Sequence, residues 1–324
     1  MTDSTTRAGD APLDDEGRLR ALAVAVAAPA FIVPWLERFY ERDDVELVFE
    51  AEAGHLPGAH DPQRLHRAWK RAVLDREGDR WSPASFHARY EIWALYEGWY
   101  DVPQEVRDQL NEWELDDYLE EVGAGITAIR EGHAAESDQR DYTYLLFDEA
   151  EALLRSRERI YLWPCNCRAM HGRCEHSHTV CLRFDNDRDI GWEISPERAV
   201  EVLRQADREG LMHTAYFAST HGHHGVCNCC SDCCFPILAG ERLGAADVWP
   251  VRRHVATVQA LECARCRRCV RRCPFGAITL PGQGGRAPVV DAEACRGCGV
   301  CATGCPHEVI AMQPRGTQAA YLTP

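Results

Sequence analysis

Two stretches near the C-terminal end of this chain repeat one cysteine spacing. The first is Cys263-x2-Cys266-x2-Cys269-x3-Cys273-Pro274, and the second is Cys295-x2-Cys298-x2-Cys301-x3-Cys305-Pro306. Each cysteine of the second run lies 32 residues after its counterpart, and the flanks repeat as well: Pro274-Phe-Gly-Ala-Ile-Thr-Leu280 aligns with Pro306-His-Glu-Val-Ile-Ala-Met312. The chain holds 17 cysteines, none before Cys165 and none after Cys305, so its chemistry is concentrated in its second half. With 324 residues, 45% of them apolar, there is material for two or three packed domains around that chemistry.

What the cysteines do depends on the compartment. The first residues, MTDSTTRAGDAPLDDEG, are polar and acidic, with neither the basic nor the apolar region of a secretory signal. The longest apolar stretch, Ala21 to Leu36, is interrupted by Pro29 and Pro34 and is too short for a membrane span. The expected location is cytoplasmic, where thiols stay reduced and clustered cysteines read as metal ligands. Zinc is the ordinary alternative for paired Cys-x2-Cys, but two complete four-cysteine runs with trailing prolines favour iron–sulfur ligation.

Over residues 255–313 the chain resembles bacterial-type ferredoxins that hold two [4Fe–4S] clusters. The resemblance implies interleaved ligand sets, in which the fourth cysteine of each run serves the cluster of the other. One cluster would take Cys263, Cys266, Cys269 and Cys305; the other Cys295, Cys298, Cys301 and Cys273. Arg265, Arg267, Arg268, Arg271 and Arg272 surround the first run without an intervening acid. They would offset cluster charge or dock an acidic partner.

Nine cysteines remain: Cys165, Cys167, Cys174 and Cys181 in one segment, Cys227, Cys229, Cys230, Cys233 and Cys234 in the other. Thiolates packed this closely repel one another unless a cation neutralises them, so a third metal centre joining the two segments is expected. A third [4Fe–4S] cluster is the leading form and zinc the alternative. The Pro-Cys-x-Cys-Arg and Cys-Asn-Cys-Cys segments are similar to those of a group of multi-cysteine ferredoxin-domain proteins, which implies redox function without fixing a substrate. His171, His176 and His178, and His221, His223 and His224, lie near these cysteines, each more ordinary as a surface or turn residue than as a ligand. Arg168, next to Cys167, reads either as a cluster hydrogen-bond donor or as half of a salt bridge. No Gly-rich phosphate loop occurs in a strand–turn–helix context, so there is no case for a flavin or nicotinamide.

The fold class expected is α+β. Residues 1–14 read as a disordered tail, 15–159 as a mainly helical, winged-helix-like acidic domain, 160–250 as a cysteine-rich α+β domain, and 255–313 as the dicluster ferredoxin. Within this scheme Leu19 to Tyr40 reads as two short helices, Asp61-Pro62 starts another, and Ala72 to Pro83 is a hairpin. The aromatic stretch Phe86 to Tyr100 reads as core packing. Further helices are expected over Pro103 to Glu121, Tyr142 to Arg159 and Pro196 to Glu209, and strands over Ile160 to Trp163 and His213 to Phe217. From Met1 to Trp163 there are 35 acidic and 18 basic side chains, against 16 and 18 in the rest. An acidic half of that size repels phosphate backbones, so no nucleic-acid partner is expected. Three functions fit: electron transfer to an oxidoreductase partner, a reductase whose middle-domain metal centre is fed by the ferredoxin clusters, and, last, a redox-sensing regulator. Donor, acceptor, substrate and oligomeric state are not legible.

Overall fold

The computed structural model describes residues 15–56, 61–98, 102–133, 137, 142–216, 225–282 and 287–316. The expected N-terminal tail, Trp99 and Tyr100, Phe217, and His221, His223 and His224 lie outside the described residues. The chain is a mixture of helix and sheet, as its class required, and divides into two compact units between Val106 and Arg107.

In the first unit, α1 (Asp15–Ala25) is followed by a 3₁₀ helix (Ala30–Arg38) that contains Pro34, then α2 (Arg42–Glu52) and α3 (Pro62–Lys70). α3 starts where Asp61 accepts a hydrogen bond from the Gln63 amide at 3.0 Å, with proline at the first turn. The expected hairpin forms as β1 (Leu74–Glu77) against β2 (Arg80–Pro83), and α4 (Phe86–Tyr96) follows with Ser85 as its cap. Phe86, Tyr90 and Trp93 of the aromatic stretch are core, while Tyr96 is exposed; Phe39 meets Phe86 edge-on at 5.2 Å and Trp93 at 4.5 Å.

Arg89 of α4 is fully buried. It donates to Phe39 O at 2.7 Å and Arg71 O at 3.0 Å, and it pairs with Glu97 at 2.9 and 2.5 Å. Arg71 binds Glu97 at 3.1 Å and reaches Asp44 of α2 at 2.9 Å, so one charged network ties α2, α3 and α4. Burial pushes the Glu97 carboxyl up, but the hydrogen bonds from Arg89 and Arg71 outweigh it and leave the carboxyl below its ordinary value.

In the second unit, α5 (Gln104–Arg130) runs past the Glu121 expected from the sequence, and its C-terminal turns pack Val122, Ile126 and Ile129 against Tyr142, Ala239 and Trp249. The helix expected over Tyr142 to Arg159 is instead β3 (Thr143–Leu145) followed by α6 (Phe147–Arg155). Pairing with a sheet strand overrides helical periodicity there, and the sheet domain thereby begins before residue 160. The other elements are β4 (Ile160–Pro164), α7 (Asn166–His171), β5 (Thr179–Arg183), β6 (Trp192–Ile194), α8 (Pro196–Glu209), β7 (Met212–Tyr216), β8 (Gly225–Cys229) and α9 (Phe235–Arg242). The strands form one antiparallel sheet in the order β3-β7-β8-β5-β4-β6. Gly225 is required where β8 closes on β5, because a Cβ there would lie 2.6 Å from Leu182 O. α8 has the Ser195 cap, Pro196 and the left-handed Gly210 stop that its sequence announces.

The C-terminal module comprises β9 (His254–Val258), α10 (Arg268–Arg272), β10 (Ile278–Thr279), β11 (Val289–Val290), α11 (Val300–Thr303) and β12 (Ile310–Pro314), with β9 paired to β12 and β10 to β11. The sequence repeat survives as a backbone repeat. Left-handed φ values occur at Arg265, Arg267 and Gly276, and again 32 residues later at Gly297, Gly299 and Glu308. No single helix among the described residues is long and apolar enough to cross a membrane; α1 and the following 3₁₀ helix pass such a test as a pair, bent by 108°.

Two stability outcomes are expected in the first unit. Arg89→Met strips Glu97 and two carbonyls of their buried donor and should cost about 3 kcal/mol in denaturant unfolding. Because the Glu97 carboxyl is depressed in the folded chain, its stabilisation is present above the unfolded carboxylate value of about 4.3 and is lost as pH falls through the lower folded value. Glu97→Gln should therefore flatten that acid limb of the unfolding profile.

Candidate metal centres

The two ferredoxin-type runs come together in one apolar cluster, in which Cys269, Cys295 and Cys301 are buried and Cys263, Cys273 and Cys305 are packed against them. A small cavity of about 10 Å³ is lined by Cys263, Cys266, Cys269 and Cys305 together with Arg265, Arg267, Arg268 and His307. Three of these cysteines belong to the first run and the fourth to the second. On the other side of the module, burial raises the thiols of Cys298 and Cys301, and each is raised further by its neighbours Cys273 and Cys295. The turns between the cysteines need left-handed backbone. The second run supplies it with Gly297, whose added Cβ would lie 2.3 Å from His254 O, while the first run holds Arg265 in the same conformation. Of the arginines singled out above, Arg267, Arg268 and Arg271 are exposed, whereas Arg272 turns inward to Val300 O at 2.8 Å and Asp207 O at 2.6 Å.

The nine remaining cysteines do not converge on one point. Six of them close a ring of thiol contacts, running from Cys165 to Cys167, Cys234, Cys229, Cys227, Cys181 and back to Cys165. The secondary structure explains the ring. Cys227 and Cys229 lie two apart on β8 and share a face. The β5–β8 register, Leu182 opposite Val226, sets Cys181 beside Cys227. Cys165 and Cys234 each stand at the N-terminal end of a helix, α7 and α9. Asn228, pointing the other way, is locked by bonds to Val180 O and His213 at 2.6 Å each.

The ring cannot carry six negative charges unaided. Thiol hydrogen bonds from its neighbours hold Cys165 and Cys229 well below the usual thiol range, and the same contacts, with burial, push Cys167, Cys181 and Cys234 well above it. Arg168 is fully buried beside the ring. It donates to Ser177 O at 2.7 Å and Asn228 O at 2.6 Å, and no carboxylate among the described residues pairs with it. Burial works against its charge, but the sulfurs of Cys165, Cys230 and Cys181 more than restore it. Its Nε lacks a hydrogen-bond partner although buried. Of the two readings of Arg168, the salt bridge is therefore not found. A set of buried thiols facing a buried guanidinium with an unused donor fits an anionic metal–sulfur group.

The other three cysteines, Cys174, Cys230 and Cys233, gather with Asp232 at a separate point, their donor atoms all within 4.8 Å of one another. Asp232 was not visible as a candidate; its position between Cys230 and Cys233 was the available signal. Also missed was the relay of Tyr142 to Thr214 at 3.2 Å and Thr214 to Cys229 at 3.4 Å. Among the histidines, His178 Nε2 lies 3.4 Å from Cys174 O.

Residues 262–309 match the family of 4Fe-4S dicluster domains. The chain thus ends in an iron–sulfur dicluster domain, preceded by a cysteine-rich sheet domain able to bind metal. No curated protein and no solved structure matches it.

The crossed pairing implied by the ferredoxin resemblance has a direct consequence. Cys273→Ala should perturb the cluster whose other ligands are Cys295, Cys298 and Cys301, even though Cys273 belongs to the first run. Electron paramagnetic resonance that resolves the two clusters checks this. A change confined to the cluster of Cys263, Cys266 and Cys269 would contradict the assignment.

Proposed function

We propose that this is an electron-transfer protein with three iron–sulfur centres in series, serving an oxidoreductase partner. The two ferredoxin clusters take Cys263, Cys266, Cys269 and Cys305, and Cys273, Cys295, Cys298 and Cys301. The third, of [4Fe–4S] type, takes four thiolates from the six-membered ring. Iron–sulfur clusters of this kind supply one-electron transfer when bound. One observation carries the reading: Cys229 and Cys234 of the ring lie in the same buried apolar cluster as Cys298, with Tyr144, Ile237 and Val300, and with Cys227 and Phe275 against it. Ring and second ferredoxin site are neighbours across dry protein.

Exposure supports one point of entry. Cys266 is exposed, and the exposed Arg267, Arg268 and Arg271 surround it, a basic surface suited to an acidic partner. Cys295, Cys298 and Cys301 are buried, as are Cys165, Cys181, Cys229 and Cys234 of the ring, with Cys167 and Cys227 half-buried. Electrons would enter or leave at the arginine surface and pass inward. The similarity to multi-cysteine ferredoxin-domain proteins and the expected cytoplasmic location agree with this. A reductase with its substrate site at the ring is the second reading. It is favoured by the surplus of six thiols over the four a cubane needs. A DNA-binding regulator that uses the β1–β2 hairpin as a wing is the weakest reading, because the N-terminal half is so acidic.

Three cubanes require about twelve iron atoms per chain. Iron and acid-labile sulfide in anaerobically purified protein are the decisive measurements, and a value near eight with the ring thiols free to alkylate would remove the third centre. Arg168→Met should shift the potential of the third centre to more negative values in a potentiometric titration, leaving the two ferredoxin signals in place, because the buried cation favours the more negative reduced state.

A further inference from the structure

Cys174, Cys230 and Cys233 are left over by the electron path, and their geometry differs from that of the ring. Cys174 Sγ lies 3.7 Å from Cys230 Sγ, and Cys230 Sγ lies 2.9 Å from Cys233 Sγ. A tetrahedral zinc ion with Zn–S bonds of about 2.3 Å sets its sulfurs about 3.8 Å apart. The first pair already stands at that edge length. The second is shorter than it and well beyond a disulfide bond of about 2.05 Å. Four donors within 4.8 Å suit one ion.

The separation from the ring is built into the chain. Cys229-Cys230 and Cys233-Cys234 are two vicinal pairs, and each pair is split. Cys229 and Cys234 enter the apolar cluster that holds Cys298, whereas Cys230 and Cys233 pack with Cys174, Ala206 and Leu211. Alternation at the end of β8 turns neighbouring side chains to opposite sides. The three sulfurs are buried and the Asp232 carboxylate is exposed, so the carboxylate closes the donor set on the solvent side. Three soft thiolates and one carboxylate in a compact tetrahedral set match zinc.

We propose that Cys174, Cys230, Cys233 and Asp232 bind a single zinc ion, a structural site distinct from the iron–sulfur centres. It pins the segment after α7 to the turn between β8 and α9, and so fixes the two ring cysteines that flank that turn, Cys229 and Cys234. This site stands whether or not the ring holds iron.

The test is metal analysis of the full chain, together with X-ray absorption at the zinc edge. About one zinc per chain is expected, with three sulfurs and one oxygen in its shell. Asp232→Cys, at an exposed position that tolerates substitution, should convert that shell to four sulfurs. Cys174→Ser should weaken zinc retention against a chelator by about tenfold or more. Cys181→Ser, in the ring, should leave zinc at its original level whatever happens to iron. The proposal is overturned by zinc-free protein, by a Cys230–Cys233 disulfide in peptide mass spectra, by a four-sulfur shell in the unsubstituted chain, or by loss of zinc in folded Cys181→Ser.

Discussion

Negative charge on buried sulfur is the constraint around which the second unit is organised. Bringing several thiolates together in an apolar interior is unfavourable unless positive charge accompanies them. The chain provides part of that charge itself. Arg168 is buried among the cysteines without a carboxylate partner among the described residues, and it bonds to the backbone carbonyls of Ser177 and Asn228 and to the sulfur of Cys230. α7 and α9 begin at Cys165 and Cys234, and the backbone N–H groups of Arg168 and Phe235 bond to the sulfurs of Cys165 and Cys167. The proposed metal would complete the balance.

The same constraint shapes the dicluster module, by different means. Its short turns keep left-handed backbone at three positions in each half, so the 32-residue repeat is a repeat of conformation as well as of ligands. In the second half, glycine fills the two positions between cysteines. In the first half, Arg265 and Arg267 accept the left-handed conformation, at roughly 1 kcal/mol or more each, and place positive charge beside the exposed cluster site. Conformational strain is exchanged for electrostatic support where solvent reaches the thiols.

The module is not loosely tethered to the sheet domain. Arg253 binds Glu149 at 2.5 Å and also donates to Tyr144 O and Thr143 Oγ1. Arg272 and Thr303 both engage Asp207 at the end of α8, Thr303 at 2.6 Å. These contacts fix the face of the module that carries Cys298 against the face of the sheet domain that carries Cys229 and Cys234. The ion pairs stand at the margins and the apolar cluster provides the contact, which gives the fixed, short separation that the proposed relay would need.

The sequence by itself determined the dicluster domain and its eight cysteines, because their spacing is local and repeated. It also determined α3 and α8, whose caps, prolines and terminal glycine are adjacent in the chain. It misjudged the stretch after Tyr142. The alternation there is three residues long, and only pairing with β7 makes it a strand. It could not divide the nine middle cysteines. Cys229 and Cys230, or Cys233 and Cys234, look equivalent as neighbours in a string, but a strand end and a helix start send them to opposite sides. Tertiary structure alone decided which thiols meet, because Cys181 reaches Cys227, and Cys174 reaches Cys230, through strand pairing and turns that bring together residues some fifty positions apart.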